Sequence, residues 1–224
     1  MLREIVLDTE TTGLDPAQGH RVVEVAAVEL IDHVPTGVTF QTYINPERDM
    51  PEEAFRIHGL AADFLDEFPV FTAIADDLCT FLGEAPLVIH NAVFDMRFLN
   101  AELTGAGRAV IPFTRAIDTL ALAQRKFPGA ANSLDALCRR FAIDASSRTL
   151  HGALLDCQLL AEVYLQLLGG RQTDLGLKPG ARTTVAGNGQ QRRFRVARPH
   201  APSAQELARH EAFVDKLDDP VWRR

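Results

Sequence analysis

"IVLDTETTG", residues 5–13, puts two acids two positions apart at the end of an apolar, β-branched run. Side chains of a strand alternate between its faces. Residues 2–10 therefore present Ile5, Leu7 and Thr9 on one side and Val6, Asp8 and Glu10 on the other. Taken alone, a D-x-E pair is most simply the solvated end of a strand. Otherwise two neighbouring carboxylates repel, and they persist together only when exposed, protonated or bridged by a cation. The turn chemistry that follows, "TGLDPAQGH", ends the strand.

Working outward, "RVVEVAAVELI" (21–31) and "GVTFQTYINP" (37–46) predict two more strands joined by a short loop, an antiparallel meander of three. The pattern then changes. "MPEEAFRIHGL" and "FTAIADDLCTFLG" predict helices, and periodicity puts Phe55 and Ile57 on the buried face of the first, with Glu53 in solvent. "APLVIHN" (85–91) predicts a buried strand and "VFDMRFLNAELTGAG" a helix ending in glycines. "AIDTLALAQRKFPG" reads as a strand or a helix, stopped at Pro128-Gly129. "ANSLDALCRRFAI" starts at a cap, Asn132 or Ser133, and "HGALLDCQLLAEVYLQLLGG" is a helix closed by Gly169-Gly170. A meander followed by alternating helices and strands gives an α/β fold, with a mixed sheet flanked by helices.

The folded domain is expected to span 1–170. Residues 171–200 have little periodicity and predict a flexible linker, leaving 201–224 as a C-terminal segment. There "SAQELARHEAFVDKL" (203–217) carries a capping-box pattern, Ser203 with Glu206, and Trp222 is the only tryptophan. Charge divides at the same place. Residues 1–170 hold 12 Lys and Arg against 24 Asp and Glu, and residues 171–224 hold 11 against 6. An acidic body does not attract phosphates by itself, so action on nucleic acid requires metal ions, a local basic path or a delivering partner. The 46% hydrophobic and 24% charged composition is that of an ordinary globular chain. No run approaches the roughly 18 apolar residues of a membrane span. Met1 leads directly into strand-like sequence with no signal-peptide pattern. Cys79, Cys138 and Cys157 fit neither a zinc motif nor a disulfide framework. A cytoplasmic protein without membrane contact is expected.

More acids change the reading of the first two. "VIHNAVFD" places Asp95 just beyond a strand at a helix start, and "HGALLD" supplies His151 and Asp156. Sheet proteins present functional side chains at such places. Four carboxylates gathered there make an oxygen site for hard ions such as Mg²⁺ or Mn²⁺, and a pair of ions promotes phosphodiester hydrolysis. On one continuous helix, residues five apart differ by about 140°, so His151 and Asp156 do not share a face. To serve one site, His151 must lie on an irregular helix entry, for which Gly152 is suited, and there it can shuttle the proton of an attacking water. The alternative is a surface histidine near a helix N-terminus.

"DTETTG", "HNAVFD" and "HGALLD" together resemble the three motifs of the DEDDh 3'→5' exonucleases. The similarity extends over residues 2–170 through "EAFRIHGL", "FPG", "NSLDALC", "RTLHGALLD" and "LAEVYL". The wider match is similar to the proofreading, epsilon-type branch that serves bacterial DNA polymerase III. The resemblance implies a ribonuclease-H-like fold and removal of the last nucleotide of a DNA 3' end as a nucleoside 5'-monophosphate. It implies two divalent ions held by Asp8, Glu10 and Asp156, with Asp95 completing the acidic set and His151 as general base. Glu53 and His58 would contact the terminal nucleotide, with Thr9 and Phe94 lining its pocket. In the tail, "QTDLGL" (Gln172–Leu177) resembles a sliding-clamp-binding peptide. The 203–217 helix and Trp222 are similar to the region of this branch that binds the polymerase alpha subunit. Other readings remain: a DEDDh exonuclease that trims RNA ends, or a structural subunit without catalysis.

Overall fold

Strand β1 (Arg3–Thr11) is the middle strand of a five-stranded sheet of order β3-β2-β1-β4-β5. Strands β2 (Val22–Ile31) and β3 (Val34–Tyr43) continue from it antiparallel, and β4 (Leu87–Ile89) and β5 (Ala116–Asp118) lie parallel on its other side. Helices α1 (Glu52–His58), α2 (Ala62–Leu65) and α3 (Phe71–Leu82) follow the meander, and α4 (Ala92–Gly105) follows β4. Helix α5 (Thr119–Lys126) starts directly after β5, and α6 (Leu134–Phe141) and α7 (Ala153–Leu167) complete this unit. The computed structural model describes residues 1–146, 150–170 and 201–216. The chain divides into two units, Met1–Leu175 and Gly176–Arg224.

The alternation read from β1 sorts its side chains into two cores. Ile5 and Leu7 pack with Phe71 and Leu78 of α3 and Met96 and Phe98 of α4. Val6 packs on the opposite face with Ala26, Val28 and Val88 and with Cys157, Leu160 and Tyr164 of α7. All three β1 residues have no exposed surface, and burying each such side chain is worth about 1.5–3 kcal/mol. The central strand is thus clamped between helix layers up to the point where its acids begin. Arg21 holds the layers in place at that end, gripping the buried Glu102 of α4 with Nε and Nη2, each at 2.8 Å.

The elements depart from expectation in instructive places. β3 begins at Val34, not at Gly37, because Asp32 and His33 adopt positive φ (49° and 67°) and close a tight hairpin. Gly37 (φ +88°) falls instead in the irregularity between the pairs Val28↔Thr39 and Leu30↔Pro35, a bulge and not a strand boundary. "AIDTLALAQRK" is both a strand and a helix. Asp118 ends β5 and caps α5, accepting from the N–H groups of Leu120 and Ala121. Ser133, not Asn132, caps α6. The short α2 carries no periodicity that marks it in the sequence. In α1 the expected buried face is wrong: Phe55 and Ile57 are 43% and 50% exposed, while Ala54 and His58 are buried.

In the second unit, α8 (Ala204–Val214) forms with its capping box in place. Ser203 Oγ accepts from Glu206 N at 3.3 Å and Glu206 Oε2 accepts from Ser203 N at 2.8 Å. The helix is shorter than 203–217. The 171–200 linker with Gln172–Leu177, and Trp222, lie outside the described residues. Among the described residues, no helix is long and apolar enough to cross a membrane.

Candidate active site

The last residues of β1 carry the site. Asp8 is half-buried and Glu10 is buried, on the face toward α7, while Thr9 points the other way. There the Thr9 N–H (3.0 Å) and hydroxyl (2.7 Å) both donate to Asp95 Oδ1, so the first turn of α4 is fastened to the end of β1. Asn91, just before α4, makes this junction possible by taking a left-handed conformation (φ +66°), with its N–H donating to Asp118 Oδ1. On the α7 side, Asp156 occupies the first turn and is buried. His151 lies outside α7, whose N-cap is Gly152, and its Nδ1 is 3.3 Å from Asp156 Oδ2. The five-residue spacing is therefore resolved at an irregular entry. The His151 N–H is anchored to the carbonyl of Ile57, at 3.1 Å, linking this entry to α1.

Ligand atoms of Glu10, His151 and Asp156 all lie within 4.8 Å of one another. Asp8, His151 and Asp156 line a cavity of about 440 Å³ together with His90, Asn91 and Ser133. A second cavity, about 430 Å³, is lined by Thr9, Glu10, Glu53, His58 and Phe94. The acids of β1 thus border both spaces. Glu53 is exposed, as expected of a solvated residue, but it stands on the cavity wall. His58 is buried there. Its Nδ1 accepts from Leu60 N at 3.0 Å, and its buried Nε2 has no hydrogen-bond partner of good geometry. Burial lowers its pKa against a hydrogen bond to the Thr11 backbone, and because Nδ1 accepts from Leu60, Nε2 is the donor. Phe94 packs on Phe98 at 5.0 Å while lining the cavity, so it serves core and pocket together.

The electrostatics are those of a site short of positive charge. Burial, then the charges of Asp95, Glu10, Asp156 and Glu24, pushes the Asp8 carboxyl well above the usual range. Burial raises Asp95 to about 7, against the opposing hydrogen bond from Thr9. Clustered carboxylate oxygens suit a hard divalent cation, and a cation removes the repulsion that raises these values. The residues therefore fit divalent metal ions.

Sequence reading missed other residues of the site. His20 lines the second cavity and lies over Gly13, where an added Cβ would come within 2.4 Å of its ring. Nothing in its spacing revealed this, because the fold of the intervening turn brings it there. Glu24 lies opposite Glu10 in the β1–β2 register and is 2% exposed. Its signal was available: one acid inside the apolar run "VVEVAAV".

A mixed sheet whose central strand ends in two acids, met by two more acids and a histidine at helix starts, is the arrangement of a DEDDh-type 3'→5' exonuclease. Residues 5–164 match the exonuclease family. The chain is 51% identical over 225 residues to DNA polymerase III subunit epsilon of Rickettsia prowazekii, covering 96% of this chain and 97% of that protein. It is 43% identical over 236 residues to the DNA polymerase III subunit epsilon of Escherichia coli (strain K12), covering 99% of this chain and 97% of that protein. In fold it is similar to the nuclease domain of 3'hExo, a DEDDh family member bound to rAMP. The TM-score is 0.65 at 21% identity, over 74% of this chain and 91% of that one. The chain belongs to the exonuclease family, in the group of DNA polymerase III epsilon proofreading 3'→5' exonucleases, a family that uses divalent metal ions.

Proposed function

We propose that this chain removes mispaired nucleotides from DNA 3' ends for a bacterial replicative polymerase. We assign Asp8, Glu10 and Asp156 as the holders of two Mg²⁺ or Mn²⁺ ions, with Asp95 completing the acidic set. The observation that carries the reading is the approach of Glu10, His151 and Asp156 ligand atoms to within 4.8 Å of one another. Bound there, such ions stabilise the negative charge that develops on the phosphate and the leaving 3' oxygen.

The protein's own groups do the rest. His151 takes the proton of the attacking water. Asp156, 3.3 Å from its Nδ1, orients the ring and balances the charge the ring acquires. Glu53 and the Nε2–H of His58 hold the terminal nucleotide in the second cavity, where Phe94 offers a face for stacking regardless of base identity. Thr9 borders the same space and holds Asp95. The bond to the last nucleotide breaks and a nucleoside 5'-monophosphate leaves. Selectivity needs no reading of bases: a mispaired end unstacks more cheaply, by a few kcal/mol, so it reaches the cavity more often. In this reading the C-terminal segment 201–224 docks the polymerase alpha subunit, Gln172–Leu177 engages the sliding clamp, and the protein works in the cytoplasm.

The test is timed digestion of paired and mispaired DNA primer ends, and of an RNA of the same sequence, in Mg²⁺ and in chelator. Mispaired DNA should be digested fastest and only with the metal. Faster loss of RNA overturns the proofreading reading in favour of RNA trimming. His151→Ala should lower the rate by about 10² or more. A loss of only a few-fold returns His151 to the status of a surface histidine.

A further inference from the structure

Helix α7 has an N-terminal problem that its own sequence does not solve. The first N–H groups of a helix lack intrahelical partners, and a side chain at the N-cap normally accepts one of them. Here the N-cap is Gly152, which has no side chain to offer. The acceptor comes from β2: Glu24 Oε2 takes the N–H of Ala153, the first residue of α7, at 3.2 Å. Glu24 Oε1 accepts from Gln41 Nε2 of β3 at 2.7 Å. Glu24 is 2% exposed and its bond to Ala153 is buried, so losing that bond leaves a buried N–H unpaired. A carboxylate at a helix N-terminus also meets the positive end of the helix dipole.

Glu24 is also the cross-strand partner of Glu10. The residue that caps α7 is therefore in fixed register with the strand that carries Asp8 and Glu10. His151 and Asp156 stand two residues before and three residues after Ala153. We propose that Glu24, steadied by Gln41, is a positioning residue for catalysis. By capping α7 from across the sheet it sets His151 and Asp156 against Glu10. The proposal rests on the site assignment above. Glu24 acts through its reach to Ala153, and its charge is secondary.

Two conservative variants of the full chain separate reach from charge. Glu24→Asp keeps the charge but is one methylene too short to hold the Ala153 N–H. Glu24→Gln keeps the reach: its oxygen accepts from Ala153, and Gln41 can turn its amide to accept from the new Nε2. Glu24→Asp should lower kcat for single-strand digestion about tenfold, because small misplacements of reacting groups are costly. KM should stay within about threefold, since Glu53 and His58 are untouched. Amide exchange at Ala153 in the metal-free protein should quicken about tenfold as the hydrogen bond is lost. Glu24→Gln should stay within about threefold of the parent in kcat, KM and amide exchange. A Glu24→Asp protein indistinguishable from the parent overturns the proposal. So does a Glu24→Gln protein as impaired as Glu24→Asp, which would make charge the active property. His151→Ala, run alongside, separates the two levels. Full activity in that variant sinks the site assignment itself, whereas an inactive His151→Ala beside a fully active Glu24→Asp sinks only the role of Glu24.

Discussion

Asp8 is the residue where folding and function conflict most directly. It lies in the central strand of the sheet, just beyond the core residues Ile5, Val6 and Leu7, yet burial and four neighbouring carboxylates all disfavour its charge. A carboxyl whose pKa is raised by folding costs stability once the pH exceeds its unfolded value, because the folded state must then carry a charge it resists. At pH 8 and without metal, Asp8 is therefore destabilising. Asp8→Asn removes the charge, keeps the shape and adds an N–H₂ group facing acceptors. It should melt above the parent in chelator at pH 8. Metal should act in the opposite sense. A ligand at a hundred times its Kd stabilises by about 2.7 kcal/mol, so Mg²⁺ or Mn²⁺ should raise the melting temperature of the parent and barely move that of Asp8→Asn. Paired thermal melts in EDTA and in metal read both effects. A lower melting point for Asp8→Asn in EDTA would mean that the carboxylate is stabilising where it stands.

At the scale of elements, α7 organises the site, and its entry obeys a simpler rule than expected. Glycine at position 152 suggests a backbone freed for an irregular entry. Its φ of −153° and ψ of 125° are ordinary extended values, and a Cβ there would meet nothing within 4 Å. Gly152→Ala should therefore fold, at a cost of no more than about 1 kcal/mol, the difference between Gly and Ala at an N-cap. Chemical denaturation measures this, and a loss above about 2 kcal/mol would show a constraint the geometry does not contain. Much of this architecture was legible because strand alternation is strict: Ile5 and Leu7 had to face one layer and Val6 the other. Helix α1 was misread because seven residues give too few turns for apolar spacing to mark a face. The helix buries Ala54 and His58, four apart, and leaves Phe55 and Ile57 outside. Asp95, His151 and Asp156 were found through motifs. Their mutual geometry was not, since it depends on Thr9 fastening α4 and on a cap reaching across the sheet. The role of Glu24 is not legible in the sequence, because an acid in a strand says nothing about its partner until the helix 129 residues later is in place.

For the whole molecule, the distribution of charge poses the remaining question. Residues 1–170 carry twice as many acids as bases, whereas the rest is basic on balance. Such a body gains little from counterion release on DNA and repels a phosphate backbone at long range. Under the proposed docking of segment 201–224 on the polymerase, affinity comes from confinement, because tethering raises the effective concentration of the primer end at the site. The residues proposed to carry catalysis, all within residues 8–156, need none of this tether. A chain cut to residues 1–170 should therefore digest a free single-stranded end at within about threefold of the full-length rate. On a mispaired primer held by the polymerase, it should fall behind the full chain by about 10²-fold, the lower range of what tethering supplies. Raising the salt should slow the cut chain little, because an acidic body offers few cations to pair with phosphates. Co-elution with the polymerase subunit is the decisive measurement. If the cut chain still travels with the polymerase, the docking surface lies in the catalytic body and the basic tail must be assigned another task.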